Sequence, residues 1–168
     1  MQLKNFTIRQ ARSSDITIAL QLLKTAAHRL QQQNVVQWKY WLDPPEERLQ
    51  WLTQGFENSE FYFISNNSSI VAMYRLMDED PKYWDKQSTT AYYIHSLVVH
   101  PDFKGHELGS QIINMIHKKA IVDYKKYLRL DCDATNQRLC NYYLDLGFRK
   151  VGMKQMELSN NALFERSV

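Results

Sequence analysis

The chain has 168 residues, enough for one domain with a sizeable core, and its 44% hydrophobic and 23% charged residues mark it as globular rather than disordered. A formal charge of +3, with no basic stripe beyond the pairs Lys118-Lys119 and Lys125-Lys126, gives no ground for a nucleic-acid partner. Those pairs read either as solvated helix ends or as electrostatic help for an anionic ligand. No apolar run reaches membrane-spanning length and the first six residues lack a signal-peptide core, so no membrane partner is expected and a cytoplasmic location is. Cys132 and Cys140 have no His or Cys partner at metal-ligand spacing, so neither a disulfide framework nor a metal site is expected.

Phe6 to Arg9 reads as a short first strand. Ser14-Asp15 then supplies an N-cap and a first-turn acid to an amphipathic helix whose apolar face is Ile16, Ala19, Leu20, Leu23, Ala27 and Leu30. This helix should end near Gln33-Asn34. An irregular, aromatic-rich connection follows, with Gln37, Trp38, Tyr40, Trp41 and Asp43-Pro44-Pro45, before Glu46 to Phe56 returns to a helical pattern. Phe61 to Ser65 and Ile70 to Leu76 flank a polar turn, hence an antiparallel hairpin. Asp78 to Thr89 is acidic and polar, a surface loop. Ala91 to Val99 is nearly continuously apolar, the signature of a central strand covered on both faces. Gly109 to Tyr124 is predicted as helix, Tyr127 to Asp131 as strand and Gln137 to Leu146 as helix. Arg149 to Leu158 and Leu163 to Arg166 close the chain as strands. The order β-α-α-β-β-β-α-β-α-β-β, without repeat or linker, predicts one α/β domain over residues 1–168, a central mixed sheet flanked by helices.

Two segments carry the chemistry. In Leu97-Val-Val-His-Pro-Asp-Phe-Lys-Gly-His-Glu-Leu-Gly109, a buried strand runs through a short glycine-bearing turn into a helix. Backbone amides and the positive end of a helix dipole then converge on one small space, which suits a pyrophosphate. The second segment, Asn136 to Phe148, follows the next strand at the distance a crossover connection needs and places a tyrosine nearby.

At these residues the chain resembles the GNAT N-acetyltransferases, in the form of a small, single-domain, bacterial-type member. The family's cofactor loop, Gln/Arg-x-x-Gly-x-Gly/Ala, is filled here by Lys104-Gly105-His106-Glu107-Leu108-Gly109, and its Asn, Tyr and Gly-Phe hallmark by Asn136, Tyr143, Gly147 and Phe148. The resemblance extends over about residues 6 to 158 and implies acetyl-CoA as co-substrate. It implies cofactor contacts from Leu97, Val98 and Val99 through their main chain, from Lys104, Gly105, His106, Glu107, Leu108, Gly109 and Ser110, and from Asn136 and Tyr143. Two positions depart from the pattern. Lys104 keeps a cation but lacks the planar fork of arginine. Glu107 stands where glycine is usual, and glutamate is strained if that position needs positive φ.

Tyr143 is the candidate acid, since a phenol with pKa near ~10 is protonated at neutral pH and can serve the leaving thiolate. Helix packing is its alternative role. Asn136 reads as an N-cap compatible with a cofactor contact. A lysine-like amine is neutral in only about one molecule in 2,500 at pH 7, so a base is needed. Tyr93 and His95 share a face of the central strand and are the candidates, where arylalkylamine acetyltransferases carry two histidines. His95 could equally be a hydrogen-bonded core histidine. Asp131 and Asp133 are lesser base candidates. Trp38, Tyr40 and Trp41 are assigned to the acceptor side by the resemblance, with Asp78, Glu79, Asp80 and Asp85 in a loop that could approach it. As anchors and solvated acids these residues have a simpler role too. The expectation is direct acetyl transfer to a primary amine of a small molecule or of a protein or peptide, with homodimerisation left open. A CoA-binding sensor or interaction module without turnover is the alternative.

Overall fold

The computed structural model of the protein describes residues 6–67, 69–103 and 105–168. Its strands are β1 (Thr7–Gln10), β2 (Phe61–Asn66), β3 (Ser69–Met77), β4 (Ala91–Val99), β5 (Tyr127–Asp133), β6 (Arg149–Gln155) and β7 (Asn160–Ser167). Its α-helices are α1 (Ile16–Gln32), α2 (Glu46–Glu57), α3 (Pro81–Trp84), α4 (Leu108–Val122) and α5 (Gln137–Asp145). The strands form one seven-stranded sheet in the order β1-β2-β3-β4-β5-β7-β6. Pairing is parallel between β4 and β5 and antiparallel in β1·β2, β2·β3, β5·β7 and β6·β7. This is the mixed, helix-flanked α/β sheet that the sequence predicts.

Two details differ from the expected elements. The acidic stretch after β3 contains the single-turn helix α3, because Asp80 accepts from the Tyr83 amide at 3.4 Å and Pro81 stands in the first turn, where it needs no donor. Ser13–Asp15 form a 3-10 turn instead of capping α1 directly. The Asp15 carboxylate bonds back to the Arg12 amide at 2.8 Å and to Arg9 at 2.7 and 3.1 Å, and the Arg9 guanidinium holds its carboxyl below the usual range.

The chain divides into two compact units, Met1–Arg75 with Ser96–Gln111, and Leu76–His95 with Ile112–Val168. In the first, α1 turns Ala19, Leu22, Leu23 and Ala27 inward, against a core that includes Trp41, Leu52, Phe56, Phe61, Phe63 and Val98. The buried stripe is centred on Leu22 and Leu23, with Ile16 and Leu20 at its margin. Gly55 lets α2 lie against β2 and β3: a Cβ there would stand 2.6 Å from the Phe61 ring and 2.8 Å from the Arg75 guanidinium. Arg75 is 2% exposed. Its charge is met by Glu60 at 2.6 and 2.8 Å, by the Trp51 carbonyl at 2.9 Å and by the Trp51 ring face.

In the second unit, Tyr83, Trp84, Ala91 and Tyr93 form a core cluster around Arg129. This buried arginine donates to Glu165 at 2.9 Å and to the Tyr93 hydroxyl at 2.8 Å, with the Trp84 and Tyr127 rings against its plane. Sequence patterning does not reveal the burial of Arg75 or Arg129, because both lie on strands whose neighbours are apolar.

Candidate active site

In the first unit the chain leaves β4 and turns through Pro101–Phe103 before entering α4. Gly105 has φ +84° and Glu107 φ +54°, two left-handed positions just ahead of the helix. A Cβ on Gly105 would meet nothing within 4 Å, so the backbone angle and not space calls for glycine there. Glu107 sits in the conformation that glycine favours, with its side chain exposed, and that conformation costs a glutamate about 1–3 kcal/mol. The Gln111 amide makes the first helical bond, to Glu107 O at 3.0 Å, so the amides of Leu108, Gly109 and Ser110 precede the internal ladder. The Ser110 hydroxyl donates to Glu107 O at 2.7 Å and His106 is exposed. Lys104 lies outside the described residues.

β4 is not a regular strand. Ser96, 9% exposed, has φ +49° in its middle, a left-handed kink carried by a residue that is neither glycine nor asparagine. The kink lies between His95, in the second unit, and Leu97 to Val99, in the first. Val98 packs in the first unit's core and Leu97 and Val99 are half-buried, so their side chains are packing residues and their main chain is what remains for a ligand.

The second unit holds the titratable cluster. His95 Nε2 lies 2.8 Å from Asp80 Oδ2, and His95 Nδ1 lies 3.6 Å from Asp131 Oδ1. The three side chains are 10%, 3% and 7% exposed. Asn161 Nδ2 donates to the other Asp131 oxygen at 2.5 Å, and the Tyr83 ring tilts over the imidazole at 5.1 Å. α3 brings Asp80, β4 brings His95 and β5 brings Asp131; β4–β5 register ends at Ile94↔Leu130, one residue before His95 and Asp131. One ligand atom from each of the three residues lies within 4.8 Å of the others. The carboxylates nevertheless face opposite nitrogens of one ring, whereas a single ion is reached through one nitrogen, with its other ligands on that side. The geometry is that of a hydrogen-bonded cluster rather than a coordination shell.

Tyr93, the other base candidate, is 2% exposed and built into the Arg129 cluster, its hydroxyl engaged by that guanidinium. Tyr143 is 8% exposed, between Phe148 and Phe164 at ring separations of 6.0 and 5.6 Å. Burial, with smaller contributions from Cys132 and Asp131, pushes its phenol well above the ordinary value. Asn136 caps α5, accepting from the Leu139 amide at 3.2 Å. The Cys132 and Cys140 sulfurs lie 3.7 Å apart, and burial together with Cys140 pushes the Cys132 thiol up, which disfavours a thiolate nucleophile. On the acceptor side, Trp41 is 2% exposed and belongs to the first unit's core, while Trp38 and Tyr40 pack half-buried on it. Trp38 is held at φ +67°, and Tyr40 lies under the Arg48 guanidinium at 4.3 Å. Sequence reasoning weighed Asp80 only as a loop acid; its side-by-side placement with His95 has no linear signal.

The model of the acetyltransferase (GNAT) family matches residues 27–148. The chain belongs to this family. A curated relative, the uncharacterized N-acetyltransferase YesJ of Bacillus subtilis, is 24% identical over 123 residues, which cover 70% of this chain and 66% of that protein, just under two thirds of its length. Among solved structures, a GNAT-family acetyltransferase from Listeria monocytogenes superposes with a TM-score of 0.78 at 22% identity, covering 97% of this chain and 95% of the other. An aminoglycoside acetyltransferase, AAC(6')-Ib, solved with coenzyme A and kanamycin, superposes with a TM-score of 0.71 at 14% identity, covering 96% and 94%. These structural likenesses show the fold of the GNAT family. In that frame the loop at Gly105 to Ser110 and the cluster around His95 are the two regions whose chemistry exceeds what packing requires.

Proposed function

We propose that this GNAT-family protein is an acetyl-CoA-dependent N-acetyltransferase that transfers acetyl directly to a primary amine. The observation that carries the reading is the loop ahead of α4. Two left-handed residues curl the backbone so that the helix's first-turn amides follow an exposed turn, which suits a diphosphate. The donor set is main chain and therefore tolerates the unusual Glu107 side chain, which is exposed. Bound acetyl-CoA supplies the acetyl thioester, whose C–S bond breaks as the amine nitrogen bonds to the carbonyl carbon.

The remaining steps fall to the chain's own groups. Leu97 to Val99 offer main-chain hydrogen bonds to the pantetheine arm, and the Leu97 N–H stabilises developing negative charge on the carbonyl oxygen. His95 is the base. Tyr143 is assigned to the leaving thiolate. A phenol raised above its ordinary value does not surrender a proton outright to a thiolate of ordinary pKa ~8.5. Its contribution is a hydrogen bond to the charge growing on sulfur, with transfer completed as the amide nitrogen's surplus proton refills the ring oxygen. The raised Cys132 thiol supports direct transfer over a covalent enzyme intermediate.

Acetyl-CoA is expected to raise the melting temperature, because a ligand of the folded state stabilises it by mass action. Thiol release is expected on adding a panel of primary amines. No thermal shift at millimolar acetyl-CoA, together with no calorimetric heat, would remove the reading.

A further inference from the structure

We infer that Cys132 and Cys140 are a redox-active pair: a peroxide converts the two buried thiols to a disulfide that ties the first turn of α5 to β5 and displaces Tyr143. The bond stands apart from the acetyltransferase reading; only its effect on rate rests on that reading.

The pairing follows from how α5 returns over the strand that precedes it. Cys132 lies near the end of β5, Cys140 lies in the first turn of α5, and residues 134–136 are all that separate the two elements. That connection is pinned. The Thr135 amide and hydroxyl both donate to Asp133 Oδ1, at 2.9 and 2.6 Å, and the Ala134 amide donates to the Asn160 carbonyl at 2.9 Å. The fixed turn sets the two sulfurs 3.7 Å apart, and a bond needs that gap to close to ~2.0 Å. Side-chain torsions and a slight shift of one helix turn cover such a distance.

Buried cysteines often serve only as small apolar fillers. Here each sulfur is the other's hydrogen-bond partner. The Cys140 thiol also donates to the Asp133 carbonyl at 3.9 Å, which turns its lone pairs toward the Cys132 S–H. The two thiols are unequal. Cys140 is 7% exposed and Cys132 1%, and burial, then Cys140, push the Cys132 thiol up. Cys140 is therefore the sulfur that a water-sized oxidant meets first, and Cys132 is the resolving thiol.

The chemistry balances with a peroxide as the oxidant. Cys140 sulfur attacks one peroxide oxygen, an S–O bond forms, and the O–O bond breaks. The departing hydroxide takes the thiol proton and leaves as water. Cys132 sulfur then attacks the Cys140 sulfenic sulfur, the S–S bond forms as the S–O bond breaks, and the second hydroxide leaves as water with the Cys132 proton. Two thiols have lost two electrons, and the peroxide has gained them.

Tyr143 is coupled to the pair through α5. It stands three residues after Cys140 and so shares its helix face. Its phenol, which burial and then Cys132 push up, lies within electrostatic reach of both sulfurs. Drawing the first turn of α5 toward β5 moves the ring against Phe148 and Phe164.

The test treats the full chain with hydrogen peroxide, blocks remaining thiols and digests it with trypsin under non-reducing conditions. Arg138 lies between the two cysteines, so peptides Leu130–Arg138 and Leu139–Arg149 separate unless a disulfide joins them. The joined pair, lighter by two hydrogens and released by dithiothreitol, is expected. Cys132→Ala should accumulate a dimedone-trapped sulfenic acid at Cys140, and Cys140→Ala should leave Cys132 about tenfold or more slower to react. The Tyr143 ring resonance should move on oxidation of the wild type, return on reduction, and stay put in both variants under peroxide. Because ~1 Å of misplacement can cost ~10²-fold, kcat of the oxidised chain should fall about tenfold or more and recover with dithiothreitol. Wild-type thiols left unreacted, sulfinic acid without a joined peptide, cross-links between chains only, or an unmoved Tyr143 resonance in the bridged chain overturns the inference. A bridged chain with the resonance moved, in a protein that neither binds acetyl-CoA nor releases thiol, would instead overturn the acetyltransferase reading and leave the redox pair standing.

Discussion

In the loop that opens α4 the groups proposed to bind cofactor are main-chain amides, and the side chains of His106 and Glu107 are exposed to water. The cluster around His95 consists of side chains, nine-tenths or more buried and drawn from α3, β4 and β5. The first region is shaped by backbone angles; the second is held together by contacts among three side chains. The two regions therefore fail differently when mutated, and that difference can be measured.

The largest effect is expected where the side chain is the chemistry. His95→Gln keeps a donor for Asp80 but loses the base, so kcat should fall by about 10²–10⁴ while acetyl-CoA affinity stays nearly constant. Steady-state kinetics beside calorimetry of cofactor binding would show the split, and a comparable loss of cofactor affinity would mean that the two regions are not separable. Tyr143→Phe comes next. It preserves the packing against Phe148 and Phe164 but deletes the hydroxyl, and kcat should drop on the order of 10²-fold. Tyr142→Phe, on a half-buried neighbour, is the control and should change little. Equal rates for wild type and Tyr143→Phe, with chemistry rate-limiting, would return Tyr143 to a packing role.

In the loop the expected effects are smaller and follow backbone angle rather than side-chain function. Gly105→Ala places a Cβ in open space but at φ +84°, so it should cost about 1–2 kcal/mol of local strain. That strain should weaken acetyl-CoA binding by roughly thirtyfold at most, with kcat at saturation nearly unchanged. Glu107→Gly is the smallest and has the opposite sign. It relieves the φ +54° strain and removes a negative charge from the loop proposed to bind phosphates, so affinity should be equal or modestly higher and the melting temperature slightly higher. A several-fold loss of affinity would mean that the Glu107 carboxylate makes a contact of its own and that the loop, too, works through a side chain.

Much of the molecule was legible in one dimension. The order of the main helices and strands follows from hydrophobic period and turn residues, both local properties. The loop before α4 was legible for the same reason: a glycine, a turn and a helix start are adjacent in the chain, so their geometry is written locally. Even the strain at Glu107 was foreseeable from residue type, conditional on a positive φ that the structure shows. Asn136 likewise does what its position ahead of a helix implies.

What only the tertiary structure decided lies wherever residues distant in sequence must meet. Asp80 and His95 are fifteen positions apart, and His95 and Asp131 are joined through the parallel pairing of β4 and β5. Nothing local distinguishes Asp80 from Asp78 or Glu79; the single-turn helix α3, absent from the helical periodicity, aims it. The left-handed Ser96 has no sequence mark, because serine is an ordinary strand residue. Tyr93 and His95 are equivalent candidates on one strand face until Arg129 claims the Tyr93 hydroxyl and two carboxylates claim the imidazole. Sequence determined which groups were available and which segments were helix, strand or turn, because those depend on neighbours along the chain. Which of the groups acquired partners, burial and charge depended on neighbours across the sheet, and only packing in three dimensions sets those.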